Sequence, residues 1–325
     1  MISLVGASTS FEEGSELLRS LAGLSIGTKM VERAAEKIGK EIADWEKSTT
    51  KPELEKPIPP TLYVGIDGTG VPIRPEELVG RPGKQPDGSA RTREVKLCVI
   101  WSAEGRNELG IPIRDHGSQT FSAAIESAAS NDTNDISSDF ARRTIREATR
   151  RRFFEAERQV AIADGAPWIW NLFHEHFPKA IQILDLFHAK EHLYDAAKAI
   201  WPNREENYHY WLERRETELD SGQINRLIRR LMIHADHCEE ARKCANYFLN
   251  NKHRMNYQKF RRAGLSVSSG VVEASCKRTI GLRLKRSGMR WTCSGANAII
   301  ALRCALLSKR LDTFLEHRIS SQRAA

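Results

Sequence analysis

Residues 159 to 185 constrain the fold more than any other part of this chain. Gln159-Val160-Ala161-Ile162-Ala163 is a short apolar run with strand character, and Asp164-Gly165-Ala166-Pro167 is its exit turn. Residues 168–177 read as a helix with Pro167 at its start. Ala180-Ile181-Gln182-Ile183-Leu184 is a second strand, ending at Asp185. A strand, a crossover helix and a strand in so short a span pair in parallel, which predicts an α/β sheet.

Other segments attach to this unit. Thr61-Leu62-Tyr63-Val64-Gly65-Ile66 reads as a strand that ends at Asp67-Gly68-Thr69-Gly70, with Val71-Pro72-Ile73 continuing toward a hairpin. Residues 80–92 read as a loop and residues 95–101 as another strand. Residues 138–157 read as a helix made very basic on one side by Arg142, Arg143, Arg146, Arg150, Arg151 and Arg152. Near the start, Leu17, Leu18 and Leu21 mark one short helix. Thr28 is placed to cap a second, with Val31, Ala34, Ala35 and Ile38 on one face. The glycine-containing turn between them fits a helix-turn-helix or a plain helical hairpin.

These patterns divide the chain into a helical segment (1–46), a linker with four prolines (47–60) and the first part of an α/β core (61–193). A strand-free helical stretch (194–264), the last part of the core (265–318) and a tail (319–325) follow. The closing part holds a helix with Val271, Val272 and Glu273, and a final helix over 294–311. A length of 325 residues accommodates two domains, or one with a large insertion. No run approaches the ~18 apolar residues of a membrane span. The first residues lack the basic start and apolar core of a secretory signal. Six cysteines with no C-x-x-C pair read as free thiols in a reducing cytosol.

Charge distribution says more than the net +8. Residues 191–325 carry 25 Lys+Arg against 14 Asp+Glu, and the rest of the chain is slightly acidic. From Ala241 to Leu311 there are 16 basic residues and a single carboxylate, Glu273. Such a stripe is the footprint of a polyanionic partner, or equally a solvated basic face. Asp67 and Asp164 each follow an apolar run and precede a glycine, which makes them turn residues or strand-end ligands. Two carboxylates brought together by a sheet suit Mg²⁺ or Mn²⁺, and Glu273 can complete the set from a helix. Two such ions activate a nucleophile and stabilise a leaving oxygen in phosphodiester chemistry.

Four ordered segments carry a resemblance: Tyr63-Val64-Gly65-Ile66-Asp67-Gly68-Thr69-Gly70-Val71-Pro72, Ala163-Asp164-Gly165-Ala166-Pro167-Trp168, Ile183-Leu184-Asp185-Leu186-Phe187-His188 and Ser269-Gly270-Val271-Val272-Glu273. Arg286-Ser287-Gly288-Met289-Arg290-Trp291, Gly295-Ala296-Asn297-Ala298 and Leu302-Arg303 extend it. Together they resemble the DDE transposases of bacterial insertion sequences, in particular the ISKra group and more distantly the Mutator-like transposases, over roughly residues 10–318. The resemblance implies an RNase H-like fold with a helical insertion before the last acid. It implies a metal triad of Asp67, Asp164 and Glu273, holding two Mg²⁺ or Mn²⁺ ions. Asp185 and His188 match the C/D-x-x-H signature that follows the second acid, and Asp185 is itself the alternative second acid.

The implied partners are DNA, as transposon ends and target, and further copies of the chain in a synaptic complex in the cytoplasm. Lys277, Arg278, Arg283, Lys285, Arg286 and Arg290 are then expected to hold DNA phosphates. His188 and His192 read as structural or DNA-adjacent, because no third zinc ligand motif accompanies them. Trp201, Tyr208, Tyr210, Trp211 and Trp291 read mainly as core, with stacking on unpaired bases as the alternative. The family usually has a longer region before its first acid than the roughly 60 residues found here, which puts recognition of transposon ends in doubt. A nuclease without strand transfer and an inactive DNA-binding remnant are the competing readings.

Overall fold

A computed structural model describes residues 1–53, 57–83, 85–128, 137–202 and 204–324. Three helices open the chain: α1 (Ile2–Ser8), α2 (Phe11–Ala22) and α3 (Thr28–Ser48). Ser10 and Glu13 form a capping box at the start of α2, and Gly23 ends it in the left-handed conformation. Gly27 takes the N-cap position of α3, so Thr28 is its first helical residue and not its cap. Val31, Ala35, Gly39, Ile42 and Glu46 recur at three- and four-residue spacing and form its buried face.

The strands are β1 (Thr61–Pro72), β2 (Thr92–Ser102), the two-residue pair β3 (Gly105–Arg106) and β4 (Pro112–Ile113), and β5 (Thr120–Ala124). Helix α4 (Asp139–Arg150) leads to β6 (Arg158–Ala163), α5 (Pro167–His176) and β7 (Ile181–Leu184). Five of these strands form one mixed sheet in the order β5-β2-β1-β6-β7. β5, β2 and β1 pair antiparallel, whereas β1, β6 and β7 pair in parallel, as the β-α-β pattern predicts. The chain is therefore an α/β protein.

β1 does not end at Asp67. Its antiparallel ladder with β2 runs unbroken from Leu62↔Ser102 to Pro72↔Thr92, and Asp67 lies opposite Leu97 in mid-strand. Asp-Gly commonly marks a turn, but here β2 offers a full-length partner and the glycines sit beside bulky neighbours. A Cβ on Gly68 would lie 2.5 Å from the Glu94 carboxylate.

After β7 the chain is helical: α6 (Leu186–Ile200), α7 (Glu205–Asp220), α8 (Ile224–Met232), α9 (Glu239–Asn251) and α10 (Tyr257–Arg262). α11 (Gly270–Cys276) passes through a π-helical turn at Lys277–Gly281 into the short α12 (Leu282–Leu284). α13 (Cys293–Leu307) and α14 (Leu311–Ala324) close the fold. Residues 319–324, expected as a tail, belong to α14.

The opening helices pack on the body of the protein. Ala7, Ala35 and Ile42 join the same apolar cluster as the sheet and α13. A buried ion cluster ties α3 to the C-terminal part: Arg310 lies 2.8 Å from Glu147 and 3.2 Å from Glu46. Two arginines of the expected basic face of α4 turn inward instead, Arg150 to Glu147 and Arg143 to Glu126. A buried carboxylate needs a cation beside it, and these arginines supply one.

The α3–α13 contact depends on Gly39, where a Cβ would lie 2.0 Å from the Ala298 carbonyl oxygen. Gly39→Ala is predicted to cost roughly 1–3 kcal/mol in denaturant unfolding, the scale of core overpacking. Unchanged stability would show that the opening helices do not share the cooperative core.

Candidate active site

The parallel strands present their carboxyl ends together, the usual place for a ligand in an α/β sheet. Asp67 lies two residues beyond Gly65↔Ile162, the last parallel pair of β1 with β6. Asp164 follows β6 directly and Asp185 follows β7, and those strands pair up to Ala163↔Leu184. The Asp185 amide donates to the Ala163 carbonyl at 2.9 Å, which draws the two strand ends together.

Each acid has a different environment. Asp67 is half-buried and accepts from the Gly68 amide at 2.6 Å and from the Cys276 thiol. Burial pushes its pKa up, and the nearby charge of Asp164 adds to this against the effect of those hydrogen bonds and of His188. Asp164 is half-buried and caps its own turn by accepting from the Ala166 amide at 2.9 Å. Gly165 lets the Tyr247 ring of α9 close over this turn, where a Cβ would lie 2.1 Å from a ring carbon. The Tyr247 hydroxyl is buried without a hydrogen-bond partner, and the ring stacks on His192 with centroids 3.9 Å apart.

Asp185 is fully buried and its oxygens are engaged. It accepts from the Phe187 amide at 3.2 Å and the His188 amide at 3.3 Å, capping α6. It also meets His188 Nδ1 at 2.5 Å and accepts from the Ser269 amide at 2.7 Å. Its pKa is lowered: burial pushes upward, and the His188 and Ser269 bonds outweigh it. The Asp185 hydrogen bond in turn pushes the His188 pKa up to about 9, so the pair is ionic at neutral pH.

Glu273 sits exposed on α11, one turn before Cys276. Three contacts fix that helix: Ser269 to Asp185, the Cys276 thiol to Asp67, and Val272 against Gly65. A Cβ on Gly65 would lie 2.3 Å from the Val272 side chain. The helix carrying Glu273 is thus tied to the strand of Asp67 and to the loop of Asp185. Among the described residues, no group of three His, Cys, Asp or Glu side chains is arranged to hold a metal ion. His188 and His192 therefore belong to no such group.

Of the six expected phosphate ligands, Lys277, Arg278, Lys285, Arg286 and Arg290 are exposed. Lys285 bonds the Thr69 hydroxyl, and Arg286 is paired with Glu13 at 2.7 Å. Arg283 is different: it is completely buried, with its guanidinium packed against Phe11 and Trp291, which meet each other edge to face. It does not belong to an exposed phosphate-binding surface. Trp211 and Trp291 are core residues, Trp201 and Tyr208 are half-buried, and Tyr210 is exposed beside Arg214.

Sequence reasoning missed Cys276 and Tyr247, and it gave no role of its own to Ser269, which opens the segment carrying Glu273. Cys276 lies three residues after Glu273, which is the one signal that it shares the face of that acid. Among the described residues, no helix is long and apolar enough to cross a membrane.

No protein-family profile and no curated protein matches the sequence. Among solved structures, the chain is similar to the Drosophila P element transposase strand transfer complex, with a TM-score of 0.32 and 12% identity over 98% of this chain and 80% of that one. A likeness this weak identifies neither the fold nor the activity.

The raised His188 pKa means that this ion pair stabilises the fold fully below about pH 6.5 and stops doing so as the pH rises through about 9. The lowered Asp185 pKa adds stability above the ordinary carboxyl value that is lost on acidification. NMR titration is predicted to place His188 near 9 in the wild type and back toward 6.5 in Asp185→Asn. An unshifted His188 would show that the pair does not form.

Proposed function

We propose that the chain is a DDE transposase, cutting and joining DNA through Asp67, Asp164 and Glu273 on an RNase H-like core with residues 194–264 as its insertion. One observation carries this reading. Asp67 lies in β1 two residues past its last parallel pair with β6, Asp164 directly follows β6, and the ionisation of Asp67 is opposed by burial and by Asp164. A divalent cation relieves that opposition, so these aspartates fit Mg²⁺ or Mn²⁺ as hard oxygen donors. Glu273 lies outside any three-ligand group and is proposed as the third ligand from the order of the motifs. When bound, two such ions supply Lewis-acid activation of water or of a DNA 3′-hydroxyl and neutralise the charge on the leaving oxygen.

The chain's own residues do the rest. Asp185 holds the start of α11 and makes His188 cationic. With its oxygens engaged in this way, Asp185 is a positioning residue and Asp164 is the second acid. His188, within electrostatic reach of Asp164, offers a positive charge to the scissile phosphate. Lys277, Arg278, Lys285 and Arg290 hold flanking phosphates, and copies of the chain pair on the two DNA ends.

The test is cleavage and joining of DNA that carries the flanking inverted repeats, with Mg²⁺ or Mn²⁺. Asp67→Asn, Asp164→Asn and Glu273→Gln should each lose more than about 10²-fold in rate while still binding DNA, the scale for removing transition-state charge stabilisation. Asp185→Asn should lose about 10–100-fold, as expected of a residue acting through its neighbours. An active Asp164→Asn beside a dead Asp185→Asn would move the second acid to Asp185. Cutting without joining would make the chain a nuclease, and binding without cutting would make it an inactive remnant.

A further inference from the structure

Asp67 receives one local hydrogen bond and one from a distant part of the chain. The Gly68 amide, its neighbour in β1, donates to Oδ1 at 2.6 Å. The Cys276 thiol donates from α11, more than two hundred residues later. A bond from the next residue belongs to the same strand and says nothing about where any other element lies. The thiol is different, because it relates the Asp67 carboxylate to the helix that carries Glu273, one turn before Cys276. Among the described residues the acids are not already gathered into a three-ligand group, so their relative placement has to come from contacts of this kind.

The thiol bond is not needed to seat α11. Without it the helix keeps the Ser269 amide on Asp185 at 2.7 Å and Val272 against Gly65. It also keeps Ser275, whose hydroxyl accepts from Gln119 Nε2 at 3.0 Å and donates to the Val271 carbonyl at 2.5 Å. Cys276 is itself buried, 6% exposed. A buried cysteine that only packs acts as a small apolar residue and needs no acceptor. Here the acceptor is the carboxylate of the site. A hydrogen bond from a neighbouring element fixes how a carboxylate is turned, and so which lone pairs it offers to a cation.

We propose that Cys276 is a positioning residue, whose thiol turns the Asp67 carboxylate into register with Glu273 for binding a divalent cation. This rests on the metal-binding role of Asp67 proposed above. In this arrangement α11 delivers two things together: Glu273 from its exposed side and the orientation of Asp67 from its buried side.

The first arm of the test is Mn²⁺ binding, followed by electron paramagnetic resonance without DNA. The wild type should bind Mn²⁺, and Asp67→Asn should lose it. Cys276→Ala should bind about tenfold more weakly, the lower end of what loss of a residue behind a metal ligand costs. Cys276→Ser differs from Cys276→Ala by one hydroxyl, which restores a donor, and it should stay close to the wild type. Both variants lose the sulfur, so a packing role would weaken them alike. Equal losses in the two, or wild-type affinity in Cys276→Ala, would overturn the proposal while leaving the metal reading intact. A wild type that binds no Mn²⁺ would overturn the metal reading itself and the proposal with it.

The second arm needs neither metal nor Cys276→Ala. The infrared S–H stretch that disappears in Cys276→Ser belongs to this thiol. It should lie at low frequency in the wild type, as a donor's does, and move up in Asp67→Ala. A stretch unmoved by Asp67→Ala would show that the thiol does not hold this carboxylate, and would overturn the proposal whatever the metal affinities.

Discussion

The Asp185 carboxylate is the contact on which the site depends. It sits at the end of the last sheet strand, buried, with four hydrogen bonds. Three organise the first turn of α6, and the fourth reaches Ser269 after more than eighty residues of helical chain. Those helices add no strand to the sheet, so α11 must be returned to it from outside. Asp185 does this together with the Leu186 amide, which donates to the Val267 carbonyl at 3.0 Å. A buried carboxylate with all its acceptors used is favourable, whereas the same group half-satisfied is costly. The junction therefore closes as a unit.

Once α11 is seated, its residues are spaced to meet β1. Val272 fills the space left by Gly65, Cys276 bonds Asp67, and Glu273 remains in solvent between them. The π-helical turn that follows sets Lys277 and Arg278 outward while Thr279 and Ile280 pack inward. Insertions of this kind are often found at functional sites. The basic excess of the last third is thus only partly a surface property. Arg283, Arg303 and Arg310 are internal, and Arg261 and Arg286 are paired with Asp220 and Glu13.

The parallel half of the sheet was legible because a strand-helix-strand pattern this short has few ways to fold. The strand-free stretch after residue 194 was legible from helical spacing alone. β1 was misread at Asp67-Gly68, since local turn preference cannot register a partner strand thirty residues away. The inward arginines of α4 were misread for a related reason: Glu46, Glu126 and Arg310, which receive or bridge them, are remote in sequence. Arg283 looked like its neighbours Lys285 and Arg286, and its burial depends on Phe11, which no local pattern couples to it. The motif order singled out Asp67, Asp164, Asp185 and Glu273 but did not separate their environments. That distinction comes from hydrogen bonds to Ser269 and Cys276, whose residue types carry little signal.

The central claim is that Asp67, Asp164 and Glu273 surround a divalent-cation centre that excludes Asp185. Fe²⁺ substituted into the protein, with ascorbate and peroxide, cleaves the backbone close to where the metal is bound, and the cuts can be mapped by mass spectrometry. The account predicts cuts near residues 67, 164 and 273 that Mg²⁺ suppresses and Asp67→Asn abolishes. Mg²⁺-sensitive cuts confined to residues 185–192, or none at all, would contradict it.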